Sequence, residues 1–115
     1  MWQKAHALAM SVLEISDRAP LANLFWFRDQ LCSCAMSVPA NIAEGSGRGT
    51  DIHFASFLDR ARGSLFELDT WLITANARGY ITGREADALA AAIGEVNAML
   101  FALRRTLRAD RGRRE

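Results

Sequence analysis

Apolar residues recur every three or four positions along most of the chain, which is the spacing of one face of an α-helix. The first such segment runs from about Trp2 to Arg18 and places Ala5 and Val12 on its apolar face. Pro20 ends the segment, because the residue that precedes a proline avoids the helical region of backbone space. The pattern therefore predicts an amphipathic first helix.

A second repeat begins near Asn23, whose side chain is of a type that caps helix N-termini. Its apolar positions are Leu24, Phe27, Leu31, Cys34, Val38 and Ile42. Pro39 lies inside this repeat, where it removes a backbone donor and clashes with the carbonyl of Ala35, so we expect a kink. The glycine-rich run from Gly45 to Gly49 is predicted to end the helix and turn the chain back.

The third repeat has the cleanest periodicity. Its stripe comprises Phe54, Phe57, Leu58, Ala61, Leu65, Leu68, Leu72 and Ala75, joined by Trp71. Thr50 is the expected N-cap, and Asp51 places a carboxylate in the first turn, where the helix dipole favours negative charge. Arg78 and Gly79 are the expected end, since a basic last turn followed by glycine is typical of helix C-termini.

A capping box of Thr82 and Glu85 predicts the start of a fourth helix. Its seam steps by three and four residues through Ala86, Leu89, Ile93, Val96, Leu100, Leu103 and Leu107. Four helices with short connections and one apolar seam each predict an all-α fold, an up-and-down antiparallel four-helix bundle. We expect one domain over residues 1–110, followed by a basic C-terminal tail at 111–115.

Composition agrees with this fold, since half of the 115 residues are apolar and the chain has two prolines. The formal net charge of +1 hides an asymmetry, because residues 104–115 hold six arginines and two acids. The arginines are Arg104, Arg105, Arg108, Arg111, Arg113 and Arg114. Such a cluster binds phosphate backbones through counterion release. The alternative is a favourable charge at a helix C-terminus with a solubilising tail.

Apolar residues outside the seams indicate self-association. Phe66 and Ile73 lie seven residues apart on the third helix, away from its core stripe. On the fourth helix Met99 and Phe101 also lie off the seam, beside a row of alanines. Ordinary surface apolarity explains such residues in many proteins. Because two helices show them, we favour a subunit interface and expect a homo-oligomer.

The sequence offers no constellation of catalytic residues. The glycine run lacks the lysine of a phosphate-binding loop. His6 and His53 do not combine with Cys32 and Cys34 in the close pairs that zinc sites use. No serine or cysteine has a histidine placed to activate it. We therefore predict a protein that is not an enzyme, with no catalytic residues, no metal site and no cofactor.

Targeting signals are not evident either. The N-terminal residues lack a basic segment followed by a long apolar run, so we expect no secretory signal. No stretch reaches the roughly 20 uninterrupted apolar residues of a membrane-spanning helix. The two cysteines, two positions apart on a helix, point in different directions and are best interpreted as free thiols in a reducing compartment. We expect a cytoplasmic protein without a membrane partner or a small-molecule substrate.

One motif carries a family resemblance. The run from Ser37 to Arg48 combines a proline, an asparagine, a glutamate and two glycines near a buried helix end, at Pro39, Asn41, Glu44, Gly45 and Gly47. It resembles the signature of the four-helix bundle family that includes the 23S ribosomal RNA intervening-sequence protein. The segments Phe54 to Leu58, Gly63 to Leu68 and Gly79 to Ile81 are similar to later blocks of that family, and the likeness extends from about Trp2 to Leu107.

The resemblance implies an up-and-down bundle that assembles as a ring-like homo-oligomer, commonly a pentamer, without enzymatic activity. A related protein, the accessory protein of diversity-generating retroelements, is a basic barrel that engages nucleic acid and a reverse transcriptase. Our leading hypothesis is thus a non-enzymatic oligomer with weak nucleic-acid binding. The alternative is an accessory module that bridges RNA or DNA to a protein partner such as a reverse transcriptase.

This chain departs from the family pattern at several positions. It has Cys32 and Ser33 where relatives usually place a basic pair, and Asp51, Ile52 and Ser56 where lysine or arginine is frequent. Nucleic-acid binding would then depend on the C-terminal arginines. For the motif we favour a structural or subunit-contact role for Pro39, Asn41, Glu44, Gly45, Gly47 and Arg48, with Asn41 bonded to nearby backbone and Glu44 paired with Arg48. A small-ligand or nucleic-acid role is the alternative.

Overall fold

A computed structural model describes the backbone of residues 1–114 and the side chains of residues 1–107. Within this part the chain forms four α-helices and no strand: α1 (Trp2–Ser16), α2 (Phe25–Ser46), α3 (Asp51–Ala77) and α4 (Gly83–Arg114). A short 3-10 turn, Leu21–Asn23, connects α1 to α2. Each helix packs along the next, and the molecule measures 52 × 22 × 19 Å. The predicted all-α, up-and-down four-helix bundle is confirmed.

The centre of the core lies between α2 and α3, with α1 packed against α2. Phe27, Leu31 and Val38 of α2 are almost fully buried, as are Leu58 and Leu65 of α3. These positions repeat at helical spacing in both elements, so one continuous apolar stripe on each helix faces the other. The sequence pattern identified every one of these residues as a core position.

Three helix ends form as the sequence predicts. The Thr50 hydroxyl accepts a hydrogen bond from the His53 amide at the start of α3. The Thr82 amide donates to the Glu85 carboxylate over 2.9 Å, and the Glu85 amide donates to the Thr82 hydroxyl over 3.1 Å, which completes the capping box. Gly79 follows α3 with φ of +76°, a conformation that glycine adopts without strain.

The boundaries of the first two helices differ from the prediction. α1 ends at Ser16 instead of Arg18. Asn23 belongs to the 3-10 turn, and Leu24 is the N-cap residue of α2 without a side-chain cap, so the predicted cap at Asn23 is wrong. α2 ends at Ser46 with Gly47 as its C-cap residue, so the predicted end of this helix in the run from Gly45 to Gly49 is confirmed.

Pro39 lies within α2, and the helix continues through it without interruption. Its ring is buried, so the missing backbone donor is offset in part by apolar contact. At the other end of the chain α4 extends to Arg114 and thus through most of the segment predicted as a tail.

Packing around α4 is much thinner than around α2. α4 lies along α3, whereas α1 meets it over a short stretch only. Among the described residues, Gly83–Leu107 is also the one helical segment that is long and apolar enough to cross a membrane by length and composition, and 22% of its most apolar 18-residue window is buried. The expectation of no membrane partner therefore stays a prediction.

Candidate functional site

The motif that carries the family resemblance includes a close approach of α2 to α3. Gly45 is buried, and a Cβ atom at this position would lie 2.6 Å from the Cβ atom of Phe57 and 3.1 Å from the ring of Phe54. Real Cβ atoms do not approach so closely, so α3 leaves room for glycine alone. At Gly47, by contrast, a Cβ atom would make only ordinary van der Waals contacts with carbonyl oxygens of α2.

A small polar cluster accompanies this close approach. The Asn41 amide group donates to the Ser37 carbonyl over 2.8 Å and lies 2.9 Å from the Ser37 hydroxyl. That hydroxyl in turn lies 2.8 Å from the Ser64 hydroxyl of α3. Asn41 thus bonds nearby backbone as predicted, and the three side chains satisfy one another at a half-buried contact between the helices.

Beyond the close approach, Arg48 extends the motif to the surface. Its guanidinium donates to the Glu44 carboxylate over 2.9 Å, the i to i+4 pair that the sequence predicts. It also lies 5.2 Å from the ring centre of Phe57, and Arg60 of α3 lies 4.8 Å from that ring. Both partners of the ion pair are about half exposed, so the pair contributes little to stability. The motif residues are therefore occupied with contacts within the protein.

A groove of about 420 Å³ separates α1 from α4. Its walls carry small residues, among them Ala7 and Ser11 on α1 and Ala88 and Ala92 on α4. An ion pair lies at each end of the groove, one between α1 and α4 and the other between the turn after α1 and the start of α4. Lys4 donates to Glu95, and Arg18 pairs with Glu85 over 2.7 Å.

Among the carboxylates that the structure describes, Glu85 is the one whose pKa departs most clearly from its ordinary value. The Arg18 guanidinium, and after it the Thr82 backbone amide, lower the pKa of Glu85 to about 2. Glu85 thus caps its own helix and ties the start of α4 to the turn after α1. This arrangement fixes the helix and offers no proton at neutral pH, so it is unsuited to acid-base catalysis.

Two of the four predicted interface residues belong to α3, and the other two belong to α4. Phe66 of α3 and Phe101 of α4 are 52% and 46% exposed, and the Arg62 guanidinium lies 5.7 Å and 5.2 Å from their ring centres. Ile73, 61% exposed, borders a recess between α3 and the first turns of α4. Met99 is half-buried and lies about 200° around α4 from Phe101, on the side of the α1 groove.

Two of the six predicted nucleic-acid arginines have described side chains. Arg104 is mostly buried and donates to Asp59 of α3 over 3.0 Å, so its charge is neutralised within the bundle. Arg105 is exposed and lies 5.8 Å from the ring centre of Phe101. The other four, Arg108, Arg111, Arg113 and Arg114, lie outside the residues whose side chains the structure describes.

A second aromatic surface, which the apolar pattern of the sequence did not predict, lies at the start of α2. Phe25 and Trp26 at the start of α2 are 72% and 68% exposed, and Trp26 meets Trp71 of α3 edge to face at 6.2 Å. A signal was present, because the consecutive residues Phe25, Trp26 and Phe27 cannot all face one side of a helix. Phe27 alone enters the core, where it contacts Trp71 and Tyr80.

Side chains with reactive chemistry are dispersed. In the described part of the chain no three histidine, cysteine or acidic residues come together as metal ligands. His6 stacks on Trp2, and His53 contacts Thr50. Burial raises the pKa of the Cys34 thiol to about 12, and Cys32 is a half-buried free thiol.

The structure is thus a small all-α bundle of four sequential antiparallel helices. The second and third helices meet at a glycine, and the fourth is covered on part of its surface only. A model of the family described as 23S rRNA-intervening sequence protein matches residues 1–102. The chain belongs to this family, as its proline-to-arginine motif predicts. The curated proteins give no match to the chain.

Proposed function

We propose that this protein is a non-enzymatic, self-associating bundle in which the uncovered side of α4 packs against further copies of the chain. The observation that carries the proposal is the contrast between the composition of α4 and its burial. Glu95 is the one charged residue in the stretch from Ala88 to Leu103. Most of this stretch is nevertheless not buried within its own chain. Water contact with so much apolar surface is unfavourable.

Small side chains make α4 suited to helix packing. Ala91, Ala98 and Ala102 are exposed, and Ala88 and Ala92 line the groove beside α1. Such residues let a neighbouring helix approach closely, within the 8–10 Å at which helices normally pack. The groove adds concave surface that a helix from another copy can fill.

The family resemblance supports a closed ring, commonly a pentamer. A ring other than a dimer needs a heterologous interface, in which one face of the protomer meets a different face of the next. The exposed side of α4 and the side of α3 that carries Ile73 are two different faces of this kind. We therefore expect α4 of one copy to contact α3 of its neighbour, in a cytoplasmic assembly without a cofactor or a substrate.

Light scattering coupled to gel filtration tests this proposal at micromolar concentration. The wild-type protein should elute at a multiple of the 12.7 kDa protomer mass. The double variant Ala91→Glu, Ala98→Glu should shift to the protomer mass with unchanged helix content, because it places charges on the uncovered line. Its matched control is Gln30→Glu, Ser33→Glu, which puts the same charges on exposed polar residues of α2 outside the motif and should leave the mass unchanged.

Two outcomes would contradict the proposal. One is a wild-type protein that stays at the protomer mass. The other is flotation of the protein with phosphatidylcholine vesicles, since the same apolar helix would then be covered by lipid instead of protein.

A second candidate function, an accessory module that bridges nucleic acid to a protein such as a reverse transcriptase, is supported by the arginines at the C-terminal end of α4. It predicts RNA binding that weakens steeply as the salt concentration rises. Replacing Arg108, Arg111, Arg113 and Arg114 by glutamine should flatten that salt dependence. If no RNA binds at 50 mM salt, this second function is excluded, whereas the oligomer proposal is unaffected.

A further inference from the structure

Two phenylalanines and two arginines form a surface cluster where α3 meets α4. We name Arg62, Phe66, Phe101 and Arg105 the seam cluster. The Arg62 guanidinium lies over both rings, 5.7 Å from the centre of Phe66 and 5.2 Å from that of Phe101. Arg105 lies 5.8 Å from the centre of the Phe101 ring. The sequence does not place these side chains together, because Phe66 and Phe101 are 35 positions apart.

The positive charges of the seam cluster are not neutralised within the described part of the protein. The Arg62 Nε atom donates to the uncharged Asn97 side chain over 3.2 Å, which fixes the guanidinium beside the rings. No described carboxylate lies within 4 Å of Arg62 or Arg105. Arg104, next in sequence to Arg105, differs because Asp59 pairs with it. Two uncompensated cations and two half-exposed rings therefore share one surface.

We propose that the seam cluster binds a single-stranded nucleic acid, with an unpaired base stacked on a phenylalanine ring or a guanidinium plane and the flanking phosphates on Arg62 and Arg105. Stacking on aromatic and arginine planes is how proteins hold unpaired bases without reading sequence. Cations beside the rings supply the charge that a phosphate backbone requires. The proposal rests on the second candidate function above and places its binding site on the body of the bundle.

A polyanion fits this surface better than a second copy of the chain does. A protein partner would have to place a carboxylate beside each of the two guanidinium groups, since burying an unpaired charge is strongly unfavourable. A nucleic acid brings one phosphate per nucleotide and leaves the arginines partly hydrated. The seam cluster also continues directly into the C-terminal arginines, since Arg105 precedes Arg108 by about one helical turn.

Fluorescence anisotropy with a labelled 12-nucleotide RNA of mixed sequence at 50 mM salt tests the proposal. The double variant Phe101→Leu, Arg105→Gln should weaken binding at least about fivefold, the lower end of what one stacked base contributes. The matched control is Phe25→Leu, Arg60→Gln, which removes an exposed phenylalanine and an exposed arginine from other surfaces. This control should change the dissociation constant less than twofold.

Further measurements distinguish nucleic-acid binding at the seam cluster from a subunit contact there. Single-stranded DNA of the same sequence should bind comparably and a 12-base-pair duplex more weakly, because a duplex does not expose its base faces. Light scattering on the same samples should give equal masses for the wild type and both variants. If RNA binds equally to the wild type and the Phe101, Arg105 variant, the seam cluster is not the site although the protein binds nucleic acid. If the variant dissociates the oligomer and binds RNA normally, the cluster is a subunit contact and the proposal fails.

Discussion

The α2–α3 pair and α4 show two ways of using an apolar helix. α2 and α3 enclose their stripes between them so closely that Gly45 has no room for a methyl group. The part of α4 from Gly83 to Leu107 is apolar enough by composition to cross a membrane, yet much of its surface stays uncovered. The comparison teaches that hydrophobic content alone does not place a helix in a core. How much of a helix is buried also depends on how many other helices of the same chain pack against it.

Removal of core volume gives the largest difference between these regions. Leu65→Ala on α3, where the leucine is fully buried, should lower the free energy of unfolding by about 2–5 kcal/mol. Leu103→Ala on α4, where the leucine is half-buried, should lower the free energy of unfolding by less than half as much. Chemical denaturation at one fixed protomer concentration measures both, since self-association adds to apparent stability. Equal losses would mean that α4 is as well covered as α3, through an interface that includes Leu103.

The glycine contact provides the next test. Gly45→Ala should destabilise the protein by about 1–3 kcal/mol, because the new methyl group overlaps Phe57 and forces α2 and α3 apart. Gly63→Ala is the matched control, also a helical glycine but with open space around it. It should stabilise the protein by up to about 1 kcal/mol through higher helix propensity. Thermal unfolding of both variants gives the comparison, and a harmless Gly45→Ala would refute the close approach.

The smallest expected effect concerns the attachment of α4 to the α1 turn. The pKa of Glu85 is lowered to about 2 from an ordinary 4.5, chiefly by Arg18. Its contribution to stability is therefore complete above about pH 4.5 and is lost as the pH falls toward 2. NMR titration of the Glu85 carboxyl carbon should give the low value, and Arg18→Gln should raise it toward the ordinary range.

Arg28→Gln is the control for this titration. Arg28 pairs with Asp17 in the same turn without contacting Glu85. It should leave the Glu85 titration unchanged. A Glu85 midpoint near 4.5 in the wild-type protein would contradict the ion pair with Arg18.

Much of the fold could be predicted because it depends on local chemistry. Thr50, the Thr82 and Glu85 pair and Gly79 act within a few residues of their own position, so their types alone mark three helix ends. Asn23 misled the prediction because a residue type that often caps helices lies here in the 3-10 turn, one position before Leu24, the actual N-cap residue of α2. The close contact between Gly45 and Phe57 could not be predicted, because the two residues lie on different helices.

The sequence by itself determined the fold class, the four apolar seams and the family, because periodicity and the motif from Pro39 to Arg48 are written in consecutive residues. The tertiary structure alone decided which outward residues come together. It neutralised Arg104 with Asp59 and assembled Phe66 and Phe101 around Arg62. Such pairings depend on the rotation and offset of one helix against another, which the packing of all seams fixes at once and no single segment encodes.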